Sequence, residues 1–248
     1  IGGDRVRFVA SLRAPSLGYT TFGIERHTNV ALPTPLHVDR TCLRNGHVAL
    51  QLAQGDGLLL APALLMEDPS DTWSHGLVGY DDVRATFERT EVSVAEAGPI
   101  RGALRVQSHA GRSRLEELWQ LGAEGRFFQV RVRLDLQEER VAVKLRYAHG
   151  CADPIARYEI PYGSVERAVG SGEWPGQAWV DVSERDGSRG LAIVTDAKYS
   201  YAVDETYIYV LAARSPLFAH HMPPNAPEAS AEYLHQDQGL QEFNVRVI

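Results

Sequence analysis

From Phe128 to Leu136, apolar Phe128, Val130, Val132, Leu134 and Leu136 alternate with Gln129, Arg131, Arg133 and Asp135. Successive side chains of an extended strand point to opposite faces, so this period of two buries one face and wets the other. After Glu138-Glu139-Arg140 the pattern restarts, with Val141, Val143, Leu145 and Tyr147 alternating with Ala142, Lys144 and Arg146. Two half-buried strands joined by a short polar link predict an antiparallel hairpin. Similar runs occur at Val48–Leu52, after the turn dipeptide Asn45-Gly46, and at Glu91–Val94, Ala103–Gln107 and Phe243–Val247. Thr206–Leu211 is apolar or aromatic nearly throughout, which predicts a strand covered on both faces.

Turn chemistry separates these runs at Gly55-Asp56-Gly57, Gly98-Pro99, Asp186-Gly187 and Pro223-Pro224. Helix signals are few. Asp81–Arg89 reads as a short helix, and Ser113–Leu121 as a short helix or equally a strand, because Leu115, Leu118, Trp119 and Leu121 fit neither period cleanly. Met222–Ser230 holds three prolines and predicts a loop. Many short strands with turns every ten residues or so predict an all-β fold, a large antiparallel two-sheet sandwich.

Composition narrows the function classes. The 248 residues, 44% hydrophobic and 23% charged, are ordinary for a globular chain and enough to bury a large core. A net charge of −7 argues against nucleic acid and anionic membrane surfaces as partners. Two distant cysteines, Cys42 and Cys151, lack zinc or redox spacing; a disulfide between them is allowed but nothing demands it. Cysteine poverty fits a reducing, cytoplasmic setting better than secretion. The start at Ile1, without initiator Met or signal peptide, is expected either of a processed or excised chain or of one with further residues ahead.

No phosphate loop, nucleophile elbow, His-Glu-x-x-His helix or paired-cysteine site occurs. The richest constellation is Asp68-Pro69-Ser70-Asp71-Thr72-Trp73-Ser74-His75-Gly76. Carboxylates and imidazoles hydrogen-bond sugar hydroxyls, and an indole stacks on the apolar ring face. The same residues also suit a polar turn with Trp73 packed inward. Arg214-Ser215-Pro216-Leu217-Phe218-Ala219-His220-His221 is a second candidate, although adjacent histidines after a strand point apart and seldom share one metal. His37 and Asp39 share a face and could ligate zinc, but nothing nearby supplies a third ligand. No carboxylate pair stands out as the acid and nucleophile that glycoside hydrolysis needs.

Several stretches, in order, resemble the C-terminal β region of class II α-mannosidases, glycoside hydrolase family 38. They are Asp71-Thr72-Trp73-Ser74-His75-Gly76, of the bacterial type; Glu96-Ala97-Gly98-Pro99-Ile100-Arg101; and Ala156-Arg157-Tyr158-Glu159-Ile160-Pro161-Tyr162-Gly163 followed by Glu166-Arg167. Trp179-Val180-Asp181-Val182-Ser183, Gly190-Leu191-Ala192, Thr195–Tyr201, Arg214-Ser215-Pro216, His220-His221 and Asp237-Gln238-Gly239 complete the series. Ser200 departs from it where a glycine is expected between two tyrosines. Before Asp68 the likeness is faint, carried by Leu17–Phe22.

The resemblance implies a galactose mutarotase-like supersandwich. Residues 1–248 then form one β-sandwich domain excised from a larger enzyme, with 1–25 as an alternative lead-in strand region from a preceding domain. It also implies an N-terminal α/β barrel outside this chain, carrying zinc and the catalytic carboxylates of a retaining α-mannosidase. The chain itself is then expected to hold no catalytic residue, no metal and no cofactor. By the same analogy Asp71, Trp73, His75, Arg214, His220 and His221 are the residues that would reach an α-mannoside. The competing expectations are a stand-alone carbohydrate-binding module and a mutarotase-like epimerase, the latter needing a histidine such as His75 and a glutamate such as Glu159 or Glu173 in one groove.

Overall fold

The computed structural model describes residues 10, 12–23, 36–52, 57–218 and 232–248. His220, His221, the Met222–Ser230 loop and the Pro223-Pro224 turn lie outside them. Residues 12–23 contain a turn and no strand.

Nineteen strands and no helix occur among the described residues. Four short ones, β1 (His37–Val38), β2 (Cys42–Arg44), β3 (Ala49–Gln51) and β4 (Leu58–Leu59), make a small sheet. The rest run β5 (Leu64–Glu67), β6 (Val83–Thr86), β7 (Glu88–Ala97), β8 (Arg101–Ala110), β9 (Ser113–Gly122), β10 (Phe128–Leu136), β11 (Val141–Ala148) and β12 (Pro154–Ile160). They continue with β13 (Gly163–Arg167), β14 (Trp174–Pro175), β15 (Trp179–Glu184), β16 (Gly190–Thr195), β17 (Ser200–Val203), β18 (Tyr207–Arg214) and β19 (Gly239–Val247). A nine-stranded sheet has the order β13-β12-β15-β16-β19-β10-β9-β8-β7, and a six-stranded sheet the order β14-β17-β18-β11-β5-β6; every pairing in both is antiparallel.

The expected sandwich is present. One continuous core joins Val130, Val132 and Leu134 of β10 to Val141, Val143 and Leu145 of β11. Trp119 of β9 meets Tyr147 of β11 across the sheets at 6.2 Å, and Tyr158 of β12 meets Tyr201 of β17 at 6.5 Å. Each fully buried valine or leucine of this core is worth roughly 1.5–3 kcal/mol. The small sheet docks on the same core through Leu43 and Leu50. The Asn45 amide pins it there, donating to the carbonyls of Gly122 at 2.9 Å, Ala123 at 3.1 Å and Gly125 at 2.7 Å.

Three expectations are corrected. β10 and β11 are not a hairpin: β10 pairs with β9 and β19, and β11 with β18 and β5, in different sheets. Residues 137–140 carry the chain from one layer to the other, so the two apolar stripes face each other across the core instead of lying side by side. Alternation reveals which face is buried, not which strand supplies the hydrogen bonds. The second face of β11 is dry rather than wet, for Ala142 and Lys144 are both buried. Lys144 pairs with Glu173 and donates to the Tyr80 carbonyl at 2.7 Å. The helix expected at Asp81–Arg89 is instead β6 and the start of β7. Ser113–Leu121 adopts its strand alternative as β9.

In the six-stranded sheet β11 lies between β18 and β5. The end of β18 and the exit of β5 therefore emerge on either side of the start of β11. Three backbone bonds lace them together: Asp68 N–H to Arg140 O at 2.9 Å, Arg140 N–H to Ser215 O at 2.7 Å, and Ser215 N–H to Val141 O at 2.7 Å.

Candidate functional site

Asp68 leaves β5 fully buried, where an unpaired carboxylate would be costly. Its partner arrives from β18: Arg214 Nε donates to Asp68 Oδ2 at 3.0 Å. The Ser70 N–H donates to Asp68 Oδ1 at 3.1 Å, and the Ser70 hydroxyl donates to the same oxygen. A terminal nitrogen of Arg214 also donates to Ser70 Oγ at 2.7 Å and to the Asp71 carbonyl at 3.0 Å. The guanidinium lies 5.2 Å from the Tyr80 ring, a favourable cation–π distance. Burial raises the Tyr80 hydroxyl above its ordinary range, so it meets Ser74 Oγ, at 3.2 Å, as a neutral group.

This clamp sets the loop that follows. Asp71, also buried, accepts the Trp73 N–H at 2.9 Å and the His75 N–H at 3.3 Å on Oδ1. Its Oδ2 lies 2.7 Å from His75 Nδ1. A carboxylate only accepts, so Nδ1 carries the proton and Nε2 points to the other side of the ring. The chain turns tightly here through left-handed residues, Ser74 at φ 57° and Gly76 at φ 71°, of which only the glycine adopts that region freely. The Thr72 hydroxyl donates to Leu217 O at 2.7 Å, tying the loop to the segment after β18.

The outcome is a rigid base with two rings on top. Trp73 is 53% exposed, so it is not packed inward. Its ring centroid is 6.1 Å from that of His75, whose side chain is 44% exposed. Asp71, Trp73, His75 and Arg214 are therefore brought together from opposite ends of the sequence, while His220 and His221 lie outside the described residues. Asp71 and Arg214 bond within the loop, and Trp73 and His75 each keep about half of their surface exposed.

A groove of about 400 Å³ runs beside the loop, lined by Thr72, Tyr199, Arg214, Gln236 and Asp237 among others. Tyr80 and Tyr199 were not among the residues expected here from the sequence. Tyr199, 61% exposed, lies in the Thr195–Tyr201 run, and an aromatic next to a turn is the signal that marks it. The Ser200 departure is harmless: Ser200 opens β17 and does not adopt positive φ, so no glycine is required.

Elsewhere, His37 Nε2 lies 2.8 Å from Asp39 Oδ2. Asp39 is held well below the usual carboxylate range, first by the Thr41 hydroxyl. Among the described residues no three His, Cys, Asp or Glu side chains form a cation site. The glutamates an epimerase would use are engaged otherwise: Glu159 accepts the Ala178 N–H at 2.6 Å, and Glu173 pairs with Lys144.

The profile of the glycosyl hydrolases family 38 C-terminal domain matches residues 63–223. No curated protein sequence matches the chain. Among solved structures, an alpha-mannosidase from Enterococcus faecalis V583 superposes with a TM-score of 0.68 at 11% identity, covering 89% of this chain and 30% of that one. A glycosyl hydrolase family 38 protein from Enterococcus faecalis gives 0.69 at 11% identity, covering 91% of this chain and 32% of that one. This chain thus spans about a third of the length of those structures. A galactose mutarotase related enzyme from Lactobacillus acidophilus superposes more loosely, with a TM-score of 0.36 at 6% identity, over 87% of this chain and 97% of that one.

Proposed function

This chain belongs to the C-terminal domain family of the family 38 glycosyl hydrolases, and from that premise we propose that it is the β domain of a retaining, zinc-dependent α-mannosidase. In this reading zinc and the acid and nucleophilic carboxylates sit on an α/β barrel outside this chain, and no chemical step is assigned to the residues described here. The β domain supports the barrel and lends a wall to the sugar site. The two buried cysteines are free thiols, which supports a reducing, cytoplasmic setting.

The observation that carries the reading is the clamped 68–76 loop inside the family match. Arg214, Asp68 and Asp71 fix its backbone, and Trp73 and His75 are held outward side by side. An indole covers the apolar face of a pyranose while an imidazole oriented by a buried carboxylate bonds a hydroxyl. Ordering these side chains before the ligand arrives lowers the entropy cost of binding.

The test is hydrolysis of an aryl α-mannoside by this chain and by the whole enzyme that contains it. The expected outcome is zinc-dependent turnover by the whole enzyme and none by this chain. Trp73→Ala in the whole enzyme should raise KM about tenfold, the loss of roughly 1.4 kcal/mol of binding. Robust turnover by this chain alone, or an unchanged KM in Trp73→Ala, overturns the reading.

A further inference from the structure

On the opposite layer, a cleft of about 740 Å³ opens over the outer face of the nine-stranded sheet, and the 68–76 loop does not line it. Its floor is built by strand register. His109, Arg114, Asp135 and Leu240 lie in direct register on β8, β9, β10 and β19. Two residues further along, Gln107, Glu116, Arg133 and Glu242 do the same. Cross-strand neighbours share a face, with strands about 4.8 Å apart, so the two rows form a grid of planar polar groups.

The grid is ordered. Gln107 Nε2 donates to Glu116 Oε2 at 3.0 Å, Arg133 Nε donates to Glu242 Oε1 at 2.7 Å, and Gln137 Nε2 donates to Asp135 Oδ1 at 2.6 Å. The Arg112 guanidinium, at the rim, donates to the Gln137 carbonyl at 2.6 Å. Arg114 makes no hydrogen bond or ion pair with the described residues, so its five donors are unspent in the middle of the first row.

The chemistry selects the ligand. An anion on Arg114 would also meet the carboxylates of Asp135 and Glu116; a cation on those carboxylates would meet Arg114 and Arg133. A neutral ligand with adjacent hydroxyls suffers neither, because each hydroxyl accepts from a guanidinium and donates to the neighbouring carboxylate. Leu240, 58% exposed, offers an apolar contact that the carbon face of such a ligand would cover. We propose that this sheet face is a secondary binding groove for a neutral saccharide, independent of the Trp73–His75 loop and of the catalytic assignment above.

The experiment is a titration of the isotopically labelled chain with methyl α-mannoside and with a neutral mannotriose, followed by amide NMR, with inorganic phosphate as the control. The expected result is saturable shifts at His109, Arg114, Glu116 and Asp135, tighter for the trisaccharide and absent with phosphate. Arg114→Ala and Asp135→Ala, each checked for an unchanged amide spectrum elsewhere, should weaken binding at least tenfold. Three results overturn the proposal: no saturable shift, phosphate shifting the same amides, or shifts confined to residues 71–75. The last leaves the catalytic reading standing, and loss of catalysis in the whole enzyme would leave the groove standing.

Discussion

Two carboxylates in this molecule are buried to a similar degree and treated in opposite ways. Asp68, at the exit of β5, has its oxygens engaged by Arg214, the Ser70 amide and the Ser70 hydroxyl. Glu117 points into the sandwich core from β9, between Leu115 and Trp119, with Val106 and Val132 directly opposite on the neighbouring strands. Burial pushes its carboxyl up to about 7, moderated by Arg89 and by the Trp119 indole. That indole faces the carboxylate without reaching hydrogen-bond geometry, and among the described residues the Tyr147 hydroxyl across the core also has no hydrogen-bond partner. A buried charge that is fully hydrogen-bonded can hold a loop in one conformation. A buried acid that is not becomes a proton-dependent weak point.

Breaking the first arrangement should have the larger effect. Arg214→Ala leaves Asp68 and Ser70 without their cation, and one partner removed from a buried pair costs about 3 kcal/mol or more. Chemical denaturation at neutral pH should show that loss, with Trp73 fluorescence reporting a freed loop; a stability within 1 kcal/mol of the parent, on the scale of an exposed pair, would mean the clamp is not what orders residues 68–76.

Relieving the second should stabilise. Glu117 has a folded value of about 7 against an ordinary 4.5. The folded state thus binds the proton more tightly, and stability falls as pH rises from 4.5 to 7, then levels off. Glu117→Gln should match the parent near pH 4 and exceed it by about 3 kcal/mol at pH 8, on a scale of 1.36 kcal/mol per unit. A gain that does not change with pH would assign the effect to shape rather than charge.

The smallest change is within the clamp. Asp71→Asn keeps an oxygen for the Trp73 and His75 amides but loses the charged partner of the imidazole. A stability loss of about 1 kcal/mol is expected, read by chemical denaturation at neutral pH. An unchanged stability would show that Asp71 is not what orients the ring.

How much of this was readable beforehand follows from range. Buried faces were legible wherever alternation was clean, as at Val130, Val132 and Leu134. The layer assignment was not, because the link at 137–140 is as short as a hairpin turn yet crosses the sandwich. The helix reading of Asp81–Arg89 failed for a related reason. Its Val83 and Ala85 extend alongside Met66 and Leu65, and sheet pairing overrides a weak local preference. At the site, Trp73 and His75 stood out by type within a turn-bounded loop. That Arg214 clamps that loop from 146 residues away carries no local signal, and Tyr80 looks like any core tyrosine.

The position of β19 has a consequence for how the molecule is made. Residues 239–247 are added to β10 over nine register positions and to β16 over three, so they join the two halves of the nine-stranded sheet. During synthesis, β7 to β10 and the β12, β13, β15 and β16 group are complete before their shared neighbour leaves the ribosome. Until then each half presents an unpaired edge, with Val130 and Val132 on one and Ile193 on the other beside open backbone donors and acceptors. Closure is a late, long-range event, the kind that folds slowly and gives chaperones a defined interval in which to hold the nascent chain.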